Sequence, residues 1–140
     1  MSEFEATLRA LLATGHAARF RATGDSMYPT IRDGDCLHVV PCETSRLRRG
    51  DVILAASERG LTAHRIVRIR ESGGAMAITT RGDNAFRSDA SIEAADVLAR
   101  VEQISRGGSA PRPPGEPPAV IRFAVVAARR ARARFSLRAV

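Results

Sequence analysis

The middle of the chain is a succession of short apolar runs cut by Gly-containing turns, and this punctuation limits the fold more than any other feature. Asp33-Gly34 precedes Cys36-Leu37-His38-Val39-Val40, which Pro41 ends, and Arg49-Gly50-Asp51 leads into Val52-Ile53-Leu54-Ala55. A Ser-Glu-Arg-Gly turn at 57–60 joins that run to a longer one over 61–70, and Gly73-Gly74 then turns into 75–80. Short runs bounded by turn-forming residues read as strands. With no regular alternation of strand and helix, they predict a mainly β domain. The 140 residues leave room for one domain with one modest core. Val, Ile, Leu and Ala must fill it, because there is no Trp and only one Tyr.

The flanks read differently. Phe4, Leu8, Leu11 and Leu12 fall on one face of a helix over residues 1–16, with Gly15 placed to stop it. The domain proper spans 17–104, beginning with a short extended segment over 17–23. Residues 82–91 are polar and rich in turn formers, and predict a loop. The stretch from Ser91 to Ile104 is ambiguous: Ser91 is a possible helix cap, but Val97, Ala99 and Val101 alternate, and a strand over 97–104 is the expectation. Residues 105–118 are a Gly/Pro/Ser/Arg linker, expected to have little compact structure. Residues 119–140 form a basic tail, with a helix expected over 119–135.

All 22 basic residues are arginine, and the formal net charge is +7. With no lysine in the chain, no lysine can serve as a base. The arginines concentrate toward the C-terminus while charges of both signs mix in the body, and no zinc-finger, basic-zipper or helix-turn-helix pattern appears, so no specific nucleic acid is expected. The tail suits a peripheral contact with an anionic membrane surface, or a solvated existence. The acidic start lacks the features of a secretory signal, and the apolar stretch near the C-terminus is interrupted by Arg122. The expected location is cytoplasmic, or peripheral to a membrane. Cys36 and Cys42 are too few for a disulfide scaffold and show no metal-ligand spacing with His38, so they read as reduced cysteines in a strand and its following turn.

The segment richest in chemistry is Gly24-Asp25-Ser26-Met27-Tyr28-Pro29-Thr30. A nucleophilic serine needs an exposed hydroxyl on a tightly held turn near backbone N–H donors. Gly24 permits unusual backbone angles just before Ser26, and Pro29 stiffens the exit. The same residues would also make an ordinary surface turn.

Four boxes together carry a resemblance. Ser26-Met27-x-Pro29-Thr30 followed by Arg32-Asp33-Gly34-Asp35 resembles the nucleophile box of type I signal peptidases, whose superfamily includes the LexA-like autopeptidases. Arg49-Gly50-Asp51-Val52-Ile53 resembles the next box. Ala63-His64-Arg65-Ile66-Val67 is similar to the histidine strand of the endoplasmic-reticulum and archaeal-type signal peptidases. Thr80-Arg81-Gly82-Asp83-Asn84, with Asp89 beyond it, resembles their Gly-Asp-Asn loop and later aspartate. The resemblance covers about residues 20–104 and implies a signal-peptidase/LexA-like β domain with a short helix in front and a basic helix behind.

It also implies a serine endopeptidase acting on a precursor protein or peptide, cutting after small residues such as Ala, with no metal or organic cofactor. Ser26 would be the nucleophile, His64 the general base in place of the lysine used elsewhere in the superfamily, and Asp89 the carboxylate that orients it. Asp83 would hold the loop or support the site from behind. Many signal peptidases have a hydroxyl residue two before the nucleophile; here that position is Gly24, which leaves the oxyanion to the Ser26 N–H together with either a second backbone donor or the Thr23 hydroxyl. His16 is expected to be exposed near the helix end, and His38 to be packed in its strand. Gly108-Ser109-Ala110 is a small-residue stretch on which self-processing is conceivable. Two other functions fit the residues: a binding or regulatory module that keeps the fold without the activity, and an arginine-driven membrane-surface or nucleic-acid binder.

Overall fold

The computed structural model describes residues 1–58 and 60–116; the expected basic helix over 119–135 lies outside them. The first element is helix α1, Glu3–Ala13. Ser2 caps it by accepting the Glu5 N–H at 3.1 Å, and Glu3 and Glu5 complement the positive end of the helix dipole. At the other end the Thr14 hydroxyl donates to the Leu11 carbonyl at 2.8 Å, and Gly15 takes φ +82°, a left-handed angle that glycine adopts without penalty.

The predicted apolar face of α1 is narrower than its spacing suggested. Leu8 and Leu12 are buried, whereas Phe4 and Leu11 are 52% and 43% exposed. The helix lies on the sheet along a single i, i+4 stripe, so Leu11 falls on its shoulder. Phe4 sits edge-on to Phe20, with ring centroids 5.6 Å apart.

Seven strands follow: β1 Ala18–Arg21, β2 Cys36–Val40, β3 Val52–Ser57, β4 Gly60–Ser72, β5 Ala75–Arg81, β6 Ile92–Glu93 and β7 Val97–Ser105. They form one antiparallel sheet in the order β1-β2-β7-β3-β4-β5-β6. The mainly β expectation holds. The ambiguous stretch after Ser91 resolves as β7 in the centre of the sheet, preceded by the unexpected two-residue β6 and a single 3-10 turn, Ala94–Asp96. Ser91 caps no helix; its hydroxyl bonds that of Thr79 at 2.9 Å.

The sheet is covered on both faces. Leu8 and Leu12 of α1 pack with Leu37, Val39, Val52, Leu54, Val101 and Ile104 on one side, where Met27 and Ile31 join them. Ile53, Ala55, Ile66, Ile78 and Leu47 form a second cluster. β3 feeds alternate residues into the two clusters, which explains why its sequence is a continuous apolar run rather than an alternating one.

Residues 105–116 depart from the expected linker. The chain turns at 106–109 and returns beside β7, where Ile104 and Arg112 exchange backbone hydrogen bonds of 2.7 and 2.9 Å. Arg106 and Arg112 then reach into the body of the domain. The arginines account for the difference: composition marked this stretch as polar and Pro-rich, but two of its cations have buried partners.

Candidate active site

Ser26 lies on the connection between β1 and β2. The connection is shaped by Gly24, whose φ of +85° a residue with a side chain rarely adopts, and whose N–H donates to Asp33 Oδ1 at 2.8 Å. That accounts for the missing hydroxyl residue two before the serine: the position is occupied by a turn that favours glycine. Backbone bonds from Tyr28 N to Asp25 O and from Ile31 N to Met27 O, each 3.0 Å, tighten the segment. Met27 and Ile31 are buried in the core, so the turn is anchored from beneath while Ser26 itself stays exposed. The Ser26 N–H has no acceptor among the described residues.

His64 stands on β4 opposite Ile53 of β3, so a strand ladder fixes its backbone. A bulge between Ile66 and Arg68 interrupts the pairing of β4 with β5 just beyond it, the kind of irregularity that re-aims side chains beside a site. His64 Nε2 is 3.0 Å from Ser26 Oγ, and Nδ1 is 2.7 Å from Asp89 Oδ2. Since a carboxylate only accepts, Nδ1–H donates to Asp89, and Nε2 is left to accept the Ser26 hydroxyl proton. Asp89 is held in turn by the Thr80 hydroxyl, which donates to the same Oδ2 at 2.7 Å, and by its own N–H to the Thr80 carbonyl at 2.8 Å.

Asp83 does not touch the histidine. Its carboxylate receives Arg65 Nε at 2.9 Å and Nη2 at 2.8 Å, and also the Thr30 hydroxyl, while Arg65 Nη1 donates to the Gly50 carbonyl at 2.8 Å. This buried fork holds the loop after β5 against the serine turn. There Asn84 donates its backbone N–H to the Ser26 carbonyl at 2.9 Å and its side-chain amide to the Asp25 carbonyl at 3.0 Å. Gly82 fits where nothing larger would. A Cβ on it would stand 2.5 Å from the Ser26 carbonyl oxygen and 3.2 Å from His64 Nε2.

Four contributors had no individual role in the sequence reading: Thr80, Gly82, Asn84 and Arg65. All four lie in the Thr80–Asn84 and His64-Arg65 motifs. Only their pairing, across 18 residues for Arg65–Asp83, was not visible.

A cleft of about 740 Å³ runs past Ser26. Buried Met27, Ile31, Leu37 and Leu54 contribute to its lining, as do residues 20–24 and 60–63 and the first turn of α1. Thr23 and Gly24 line it beside the serine. Two backbone edges in its walls have no second ladder partner among the described strands: β1, and residues 60–63 of β4, whose pairing with β5 begins only at Arg65.

The other singled-out residues lie elsewhere. His16 is exposed and bonded to Thr14 Oγ1 at 2.7 Å. His38 is paired within β2 against Arg19 and Gln103, 3.7 Å from Glu102. Cys36 and Cys42 are both free thiols, and burial pushes the Cys42 thiol above its ordinary value. Among the described residues no group of three or more His, Cys, Asp or Glu side chains is placed to hold a metal ion. None of their helices is long and apolar enough to cross a membrane.

No curated protein and no solved structure matches the chain. The family model described as Peptidase S24-like matches residues 3–100, from α1 through the first half of β7 and across Ser26, His64 and Asp89. The chain belongs to the Peptidase S24-like family, and peptide-bond hydrolysis is the broad chemistry that this membership supports.

Proposed function

We propose that the protein is a serine endopeptidase in which Ser26 attacks the peptide carbonyl, His64 is the base and Asp89 orients it. The observation that carries this reading is the unbroken line from Ser26 Oγ through the imidazole to the Asp89 carboxylate, with links of 3.0 and 2.7 Å. Both lengths are within reach for proton transfer. As the Ser26 oxygen bonds to the carbonyl carbon, its proton passes to His64 Nε2, and the imidazolium is stabilised by Asp89. The Ser26 N–H, which has no acceptor among the described residues, receives the developing oxyanion, with the Thr23 hydroxyl as the candidate second donor. His64 then gives its proton to the leaving amine, and the acyl group stays on Ser26. Water attacks this ester with His64 again as base, which releases the acid and restores the serine.

The substrate in this reading is a precursor protein or peptide bound in extended form. The edges of β1 and of residues 60–63, without a second ladder partner among the described strands, offer main-chain hydrogen bonds to such a strand, and the apolar lining takes alternate side chains. The use of histidine where most of the superfamily has lysine aligns the chain with the endoplasmic-reticulum and archaeal-type signal peptidases, and with cleavage after small residues. The arginine-rich segment 119–140 is suited by its charge to an anionic membrane surface that would deliver the substrate.

The test is labelling by a fluorophosphonate, read as intact mass, together with hydrolysis of a peptide library. The wild type gains one adduct and cleaves; Ser26→Ala gains none and loses ~10⁴-fold or more in rate. Asp89→Asn keeps the serine but lowers kcat by about 10³- to 10⁴-fold, because the imidazole is held in the wrong tautomer. Cleavage that survives Ser26→Ala would sink the reading. An unlabelled wild type that cleaves nothing would leave a binding module on the same fold.

A further inference from the structure

The family match ends at residue 100, but the chain continues to make contacts that reach the serine turn. Arg106 donates Nε and Nη2 to the two carboxylate oxygens of Asp35, both at 2.8 Å. Arg112, brought back beside Ile104, donates Nη2 to the Thr30 carbonyl at 2.9 Å. Both acceptors are buried, Asp35 at 2% exposure and Thr30 at 5%. Both lie on the segment that runs from Ser26 into β2.

Thr30 is grasped at both ends. Arg112 holds its carbonyl, while its hydroxyl donates to Asp83, whose loop takes the Ser26 carbonyl through the Asn84 N–H. A continuous line of contacts therefore runs from Arg112 through Thr30, Asp83 and the 82–84 loop to Ser26. Asp35 closes the same segment from the other end, since its carboxylate also accepts the Arg32 N–H at 2.8 Å. Neither arginine lines the cleft.

We propose that residues 104–112 are a staple that sets the position of the nucleophile, with Arg106 and Arg112 as positioning residues. The proposal rests on the assignment of Ser26 and His64 above. The chemistry is geometric: a serine oxygen displaced by about 1 Å from its base loses on the order of 10²-fold in rate. The staple acts on kcat and leaves KM alone, because substrate meets neither arginine. The two arginines also differ in what can replace them. Arg112 uses a single N–H on a carbonyl, a contact that lysine can supply. Arg106 uses its planar fork on a carboxylate, which lysine cannot reproduce.

The experiment measures kcat, KM and fluorophosphonate labelling rate for Arg112→Ala, Arg112→Lys, Arg106→Ala and Arg106→Lys in the full chain. All rates are normalised to the number of labelled serines, so that partial unfolding cancels. The expected result is a 10- to 100-fold loss of kcat and a parallel loss of labelling rate in both alanine variants, with KM unchanged. Arg112→Lys recovers most of the loss, and Arg106→Lys recovers little. Wild-type kcat per labelled serine in the alanine variants overturns the staple, and so does a loss confined to KM. Labelling that persists in Ser26→Ala overturns the peptidase assignment instead, so the two failures are told apart.

Discussion

Two arginine–carboxylate forks brace the serine turn, and they differ in a way that separates what holds a site from what tunes it. In the Arg65–Asp83 fork both side chains are only 6% exposed. In the Arg106–Asp35 fork the carboxylate is 2% exposed but the arginine is 38% exposed. The bond lengths are nearly the same, 2.8 to 2.9 Å. The difference lies in what is left behind when one partner goes. A fully enclosed charge has nowhere to turn, whereas a half-exposed guanidinium can swing into water.

Asp83→Ala strands the buried Arg65 cation, and the expected loss is about 3–5 kcal/mol of folding stability, read as a lower urea midpoint. A loss below ~1 kcal/mol would mean that the enclosed fork holds no more tightly than a surface pair. Asp35→Ala is expected to cost less, about 1–3 kcal/mol. Arg106 regains water there, and the main debt is the Arg32 N–H left without its acceptor. If the two losses come out equal, exposure of the arginine is irrelevant and the contrast fails.

The smallest effect is a pH dependence. Burial alone would raise the Asp35 carboxyl, but the hydrogen bonds from Arg106 and the Arg32 N–H, with the nearby Arg106 and Arg112 charges, outweigh it and hold the group below its ordinary value. A carboxylate lowered in the folded state adds stability above its unfolded value, near 3.9, and loses it as the pH falls through the folded value. The stability gap between wild type and Asp35→Asn is therefore constant near neutrality and narrows below about pH 4. Urea midpoints at several pH values check this, and a gap that widens in acid would reverse the sign of the assignment.

The two forks also mark how far the sequence could be read. Strands β2 to β5 were legible because each is an apolar run closed by a turn, as at Gly73-Gly74 between β4 and β5, whereas the two-residue β6 has no such run. Ser26, His64 and Asp89 stood out through the order of four boxes, and they meet in the fold. What could not be read was the partner of each arginine. Arg65 and Asp83 lie 18 residues apart within quoted motifs, but Arg106 and Asp35 are separated by 71. Nothing local in a Gly/Pro/Ser/Arg stretch distinguishes a tether from a strap, because the deciding contact is supplied by distant chain. The exposure of Phe4 and Leu11 was hidden for a related reason. Helical spacing says which residues share a face, but the width of the surface beneath decides how many are covered.

β1 and residues 60–63 of β4 each have one edge without a ladder partner among the described strands. An open edge recruits any extended chain, including a second copy of the same protein, and long flat apolar edges are where aggregation begins. Here β1 is only four residues long and carries the exposed charges of Arg19 and Arg21. The open part of β4 is equally short, and α1 contributes to the wall of the same cleft. Charge and brevity therefore weigh against self-association through these edges. Replacing those two arginines with β-branched apolar residues would trade solubility for a self-recognising surface.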